Sequence, residues 1–179
     1  MKKKKMRYMT HAALIAALYV VLTLLANALG LANYAIQLRF SEALTILPVF
    51  TSAGIPGLVI GCFLSNLITG CAVPDILFGS LATLIGAIGT RLIRTRLFPD
   101  AFTAVLANTK WQNAQRFLAT LPPILSNTLI IPFILAYVYR FEGSLPYFMI
   151  TVCIGEILSC GILGMFLMKL LMKYRKHLF

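Results

Sequence analysis

The 179-residue chain is 60% hydrophobic and only 12% charged, with a mean hydropathy of +0.89, whereas a soluble domain averages about half apolar and a quarter charged. That balance describes an all-α integral membrane protein with room for roughly six crossings of about 20 residues each, and it leaves no space for a separate soluble catalytic or nucleotide-binding domain. The net charge of +11 does not argue for nucleic acid, because the basic residues cluster beside apolar runs and no aromatic-interleaved basic surface accompanies them.

Lys2 to Lys5 and Arg7 precede the first apolar run, roughly residues 10–29. A basic start followed by Ala26-Asn27-Ala28 has the look of a secretory leader. The run is long for one, however, and its removal would leave an odd number of spans, so it is assigned as a retained helix. Within it Ala12, Ala13, Ala16 and Ala17 place small side chains at four-residue spacing. In lipid such spacing permits close backbone approach. It serves either packing inside the bundle, which spacing alone favours, or docking against another membrane subunit.

The second run, 40–51, is short and opens at "IQLRFSEAL" (36–44), where Gln37, Arg39 and Glu42 crowd the mouth of an apolar stretch. Charges are costly to take out of water and are rarely kept at such a place without a use. Arg39 and Glu42, three apart, are predicted to share a helix face, either as an ion pair or as ligand contacts. Gly54-Ile55-Pro56-Gly57 signals a turn, and a third run (55–68) carries Asn66. After the break at Gly70–Pro74, Asp75 stands at the predicted N-cap of a fourth run, 76–93, with capping and ligand contact as equal readings.

A polar, basic connection (94–116) leads to the fifth run, 117–139, which holds Pro122, Pro123, Pro132 and, near its middle, Asn127. Asn66 and Asn127 are interhelical hydrogen-bond formers or ligand contacts. Glu156 falls roughly ten residues into the sixth run, 146–171, near mid-membrane. Its own span offers no basic partner near it, only Cys153, Ser159 and Cys160. It is therefore expected to be protonated, to pair with another helix, or to meet a cationic or hydrogen-bond-donating ligand, the last being favoured.

Alternating the runs across a bilayer with the N-terminus inside leaves only Arg39 and Arg140, of 16 Lys and Arg, on the outer side. This is the positive-inside pattern for both termini cytoplasmic. Gln37, Arg39, Glu42 and Asp75 then lie in the outer part with Asn127 and Glu156 deeper, as in a funnel that opens outward. Cys62, Cys71, Cys153 and Cys160 form no CxxC and have no His partner. They are assigned as small apolar filler, with no metal site. There is no GxxxxGK[ST], no HExxH and no nucleophile–base arrangement, so no catalytic residue is nominated.

Five segments carry a resemblance: "IQLRFSEALTILPVF" (36–50), "GIPGLVIGCFLSN" (54–66), "DILFGSLATLIGA" (75–87), "PPILSNTLIIPFILAY" (122–137) and "GEIL" (155–158). On these the chain resembles the QueT family, the substrate-binding subunits (S-components) of energy-coupling factor (ECF) transporters assigned to queuosine precursors. The connection 94–115 is a poor match. The resemblance implies an S-component fold of six transmembrane helices with both termini cytoplasmic. It also implies one substrate-binding domain over residues 1–179, in a bacterial plasma membrane. The partners implied are a membrane scaffold subunit and two ATPases, docked through Ala12, Ala13, Ala16 and Ala17; no cofactor is implied.

The implied substrate is 7-aminomethyl-7-deazaguanine or a related 7-deazapurine. Its N1–H and 2-amino group suit a carboxylate, its O6 suits an Asn or Gln donor, and its aminomethyl group is a cation. The candidate contacts are Gln37, Arg39, Glu42, Asn66, Asp75, Phe78, Asn127 and Glu156, with Phe40 and Tyr137 as further stacking candidates. Glu42 and Glu156 are expected to serve the two donor ends in an unassigned order. The alternative is a self-sufficient secondary transporter of a small nucleobase-like or vitamin-like solute, although no internal repeat between the halves supports it. An intramembrane enzyme is disfavoured by the missing catalytic groups.

Overall fold

The computed structural model describes residues 2–31, 38–97 and 110–178, among which there is helix and no strand. Helix α1 covers Lys2–Ala28, and a 3₁₀ segment, Phe40–Val49, follows it. Next come α2 (Gly54–Ile68) and α3 (Val73–Leu92), the latter prolonged by a π-helical turn at Ile93–Leu97. After α4 (Lys110–Leu118) and α5 (Leu121–Tyr137), α6 (Leu145–Glu156) runs through a π-helical segment, Ile157–Leu163, into α7 (Gly164–Leu178). Four stretches are long and apolar enough to cross a membrane: Lys2–Ala28, Val73–Leu97, Gln112–Tyr137 and Leu145–Tyr174. Phe40–Val49 and Gly54–Ile68 are shorter apolar helices.

The bundle is apolar on its outer surface and holds a polar group inside, among three buried apolar clusters. Leu14, Val21, Ile60, Leu67, Leu77, Ile85, Leu129, Ile150 and Phe166 are exposed, while Ser41, Glu42, Thr45, Ser65, Asn66, Asp75, Thr83, Asn127 and Glu156 are buried. In lipid, apolar side chains gain little by leaving the surface, so close packing and interhelical hydrogen bonds hold such helices together.

Two seams show that packing. Helix α2 presses Gly57 and Gly61 onto α1: a Cβ on Gly57 would lie 2.8 Å from the Ala12 carbonyl oxygen, and one on Gly61 would lie 2.6 Å from the Tyr19 Cβ. This GxxxG contact covers Ala12 and Ala16 but leaves Ala13 and Ala17 exposed. The four alanines therefore do not form one face, and the first pair is committed to α2. At the second seam α3 meets the Pro122-Pro123 turn of α5, where a Cβ on Gly86 would stand 2.7 Å from the Pro123 Cα. Thr90 donates to the Ala119 carbonyl there at 2.8 Å.

The second apolar run departs from the expected α-helix. It is a 3₁₀ helix wedged among α1, α3, α7 and the π segment, with Ser41 to Val49 buried throughout. A 3₁₀ helix rises about 2.0 Å per residue against 1.5 Å for an α-helix, so ten residues reach farther through the bundle. Arg91 of α3 donates to the Pro48 carbonyl at 3.0 Å, which anchors the segment's far end. Arg39 lies outside the helix with extended backbone (φ −108, ψ 106), so it does not share a helical face with Glu42.

Asp75 is also displaced from its expected role. The N-cap is Ala72, Pro74 occupies the first turn, and Asp75 makes no capping hydrogen bond. Proline is pre-organised for a first helical turn, which draws the helix start upstream. An acid in that turn still suits the positive end of the helix dipole. The 94–116 connection is partly helical, through the π turn and α4, and its residues 98–109 lie outside those described.

The α1–α2 seam has a direct test. Gly61→Val should lower the thermal unfolding temperature in detergent, as overpacking costs about 1–3 kcal/mol, whereas Ile60→Ala on the exposed face should change it little. An unaltered unfolding temperature in Gly61→Val would contradict this packing.

Candidate functional site

Each helix around the centre contributes side chains spaced by four, which places them on one face a turn apart. Helix α3 supplies Asp75, Gly79 and Thr83; α5 supplies Asn127 and Ile131; and the α6–π path supplies Val152, Glu156 and Cys160. Helix α2 brings Cys62 and Asn66, and α1 brings Tyr19 and Thr23. The 3₁₀ segment delivers Glu42 into their midst. A cavity is lined by Arg39, Glu42, Cys62, Gly79, Thr83 and Asn127, and closed by Ile131, Val152 and Glu156. Its volume is about 10 Å³, the room of roughly one water molecule.

Two carboxylates dominate it. Glu42 is 2% exposed and Glu156 8%, and one ligand atom from each, with the Cys160 Sγ, lies within 4.8 Å of the others. Like charges so close in a weakly polar interior repel strongly, so a shared proton, protein donors or a cationic guest must balance them. Tyr19 donates its hydroxyl to Glu42 Oε1. Asn127 Nδ2 donates to Glu156 Oε1 at 3.0 Å, and the Cys160 thiol donates to Glu156 Oε2 at 3.1 Å. Glu42 Oε2 remains without a hydrogen-bond partner. Glu42, Glu156 and Cys160 thus offer three donors to a single small cation.

A second polar group adjoins Gly79. A Cβ there would stand 3.1 Å from Asn66 Nδ2 and 3.5 Å from Asp75 Oδ1, so the missing side chain keeps both atoms next to the cavity wall. Tyr139, just beyond α5, donates its hydroxyl to Asp75 Oδ2 at 2.8 Å and accepts the Ala72 N–H at 3.2 Å. Asp75 Oδ1 is buried with no hydrogen-bond partner. Arg39 lies electrostatically between the two acidic groups: burial disfavours its charge, but Asp75 foremost, with Glu42 among the lesser contributors, holds the guanidinium above its ordinary range.

The structure therefore brings together Arg39, Glu42, Asn127 and Glu156, with Asn66 and Asp75 beside them across Gly79. Phe78 stands apart. It is half exposed and lines an outward apolar groove with Tyr137, Phe133 and Leu129, because it lies one residue from Gly79, about 100° around the helix. Gln37 lies outside the described residues. Glu156 accepts a hydrogen bond from another helix, through Asn127 of α5.

Several residues that hold the acids in and beside the cavity escaped the sequence reading. Tyr19 was hidden in a plain apolar run, and Tyr139 sat at a helix end where polar tips are common. Cys160, assigned as filler, is hydrogen-bonded to Glu156; its position four residues on was the available signal. The widened π turn immediately after Glu156, a feature common at functional sites, has no sequence signature beyond Gly161.

The family profile described as "QueT transporter" matches residues 9–173. A curated relative, the Queuosine precursor transporter QueT of Lactococcus lactis subsp. cremoris (strain MG1363), is 36% identical over 85 residues. That alignment covers 48% of this chain and 50% of the relative, so the chain spans about half the length of the curated protein it matches. No solved structure matches. Because the profile extends over nearly the whole sequence, the chain belongs to the QueT transporter family.

Proposed function

We propose that this membrane transporter is the substrate-binding subunit of an ECF-type importer and that it captures a 7-deazapurine queuosine precursor, 7-aminomethyl-7-deazaguanine in particular, from outside the cell. The observation that carries the reading is the convergence of Glu42 and Glu156, from non-adjacent elements, in one cavity with Asn127 and Arg39. A buried acidic pair with an unsatisfied carboxylate oxygen suits a guest rich in N–H donors and carrying positive charge. The name of the Lactococcus lactis relative, a queuosine precursor transporter, agrees with that chemistry.

The architecture that goes with this reading is a single transmembrane unit in which the two short apolar helices join the four long ones as six spans, with both termini cytoplasmic. Support comes from charge: Arg7, Arg91, Arg94, Arg96, Lys169 and Lys173 belong to the helix ends remote from Arg39, Asp75 and Tyr139. Such an arrangement opens the cavity toward the outer face. A cavity of about 10 Å³ is far below the ~300 Å³ of small-molecule pockets, so admitting a bicyclic ring requires the lining stripes to part. The chain has no ATPase motif of its own; transport then draws on a scaffold subunit and two ATPases. The exposed Ala13 and Ala17 are the residues of the first helix left free to face that scaffold, since Ala12 and Ala16 are occupied by α2.

Two measurements test this. Purified protein should show a ligand-dependent rise in unfolding temperature with 7-aminomethyl-7-deazaguanine, and Glu42→Gln or Glu156→Gln should weaken binding about tenfold or more; unchanged affinity in both variants would defeat the site assignment. Ala13→Leu with Ala17→Leu should reduce co-purification with ATPase subunits while leaving ligand binding intact, and full retention of those subunits would remove this face from consideration.

A further inference from the structure

Building on that reading, we infer that the site has two recognition ends: Asn66 and Asp75, beside the cavity across Gly79 and the latter held by Tyr139, read the hydrogen-bonding edge of the flat base, and Glu42 with Glu156 receives its ammonium group.

The division follows from what each end offers. Next to Gly79 there is one donor, Asn66 Nδ2, and one open acceptor, Asp75 Oδ1, both within 3.5 Å of the point a Cβ would occupy. A donor beside an acceptor complements a lactam edge, in which a carbonyl oxygen adjoins an N–H. It does not complement an ammonium group, which only donates. Tyr139 and the Ala72 amide fix the geometry: with Oδ2 engaged by the phenol at 2.8 Å, the carboxylate presents Oδ1 alone. That oxygen is nine-tenths buried or more and has no hydrogen-bond partner, a costly state for an acceptor unless something donates to it.

The other end has the opposite character. Glu42 and Glu156 present acceptors, and the protein donors near them, Tyr19, Asn127 and the Cys160 thiol, are already spent on Glu42 Oε1 and both oxygens of Glu156. The open atom is Glu42 Oε2. A group that only donates and carries charge fits there, and a lactam carbonyl would be repelled. Formally the cavity and its margin hold three acids, Glu42, Glu156 and Asp75, against one guanidinium, Arg39.

Two probes with the same base edge separate the ends: 7-aminomethyl-7-deazaguanine, which carries the ammonium, and its 7-cyano counterpart, which does not. Affinities of both are measured by calorimetry on the detergent-purified full chain. Wild type should prefer the aminomethyl compound. Glu156→Gln should cost about tenfold or more for that compound and leave the cyano compound nearly unchanged, so the preference collapses. Asp75→Asn should weaken both compounds by similar factors and preserve the preference. If Asp75→Asn does not fold, Tyr139→Phe takes its place, with the same parallel loss expected.

The crossed pattern would overturn the division: Glu156→Gln weakening both compounds alike, or Asp75→Asn and Tyr139→Phe affecting only the aminomethyl compound. Failure of wild type to bind either compound would instead bring down the functional reading beneath it. The two failures are therefore distinguishable.

Discussion

The structure depends on acids held inside a bundle whose outer surface is hydrocarbon. A chain that exposes Leu14, Val21, Ile60 and Phe166 cannot hide Glu42 and Glu156 by turning them outward, where lipid would solvate them far worse than protein. They must point inward, and once inward they must be supplied with donors. Tyr19, Asn127 and Cys160 are those donors, each from a different part of the chain. The helices are thereby pinned to one another through polar atoms as well as through small-residue seams.

This polar centre also accounts for the odd secondary structure. The Phe40–Val49 segment is too short to cross as an α-helix, and as a 3₁₀ helix it reaches between α1 and α7 with Glu42 near its start. The π turn after Glu156 carries Cys160, whose thiol meets the carboxylate. Both irregularities lie beside the acidic pair.

The apolar runs were legible in the sequence because about 20 residues of hydrocarbon side chains have few other uses. Glu42, Asn127 and Glu156 were legible as polar residues at depth for the same reason, and Arg39 as a charge at the mouth of an apolar run in "IQLRFSEAL". What remained hidden depends on rotation and partnership. Phe78 points outward because it is one residue from Gly79, on the side of α3 away from the buried stripe of Asp75, Gly79, Thr83 and Thr90. The alanines of α1 split between two faces for a similar reason, since the Gly57 and Gly61 groove selects only Ala12 and Ala16. Tyr19 and Tyr139 became informative only when their hydroxyls were seen on Glu42 and Asp75.

The position of Tyr19 has one more consequence. Its ring lies against Gly61 while its hydroxyl holds Glu42, and Ala17, two residues earlier and about 200° around the axis, lies on the opposite, open flank. Helix α1 is therefore gripped on one side and bare on the other, and the side chain that closes its seam with α2 is also the one that steadies the acid.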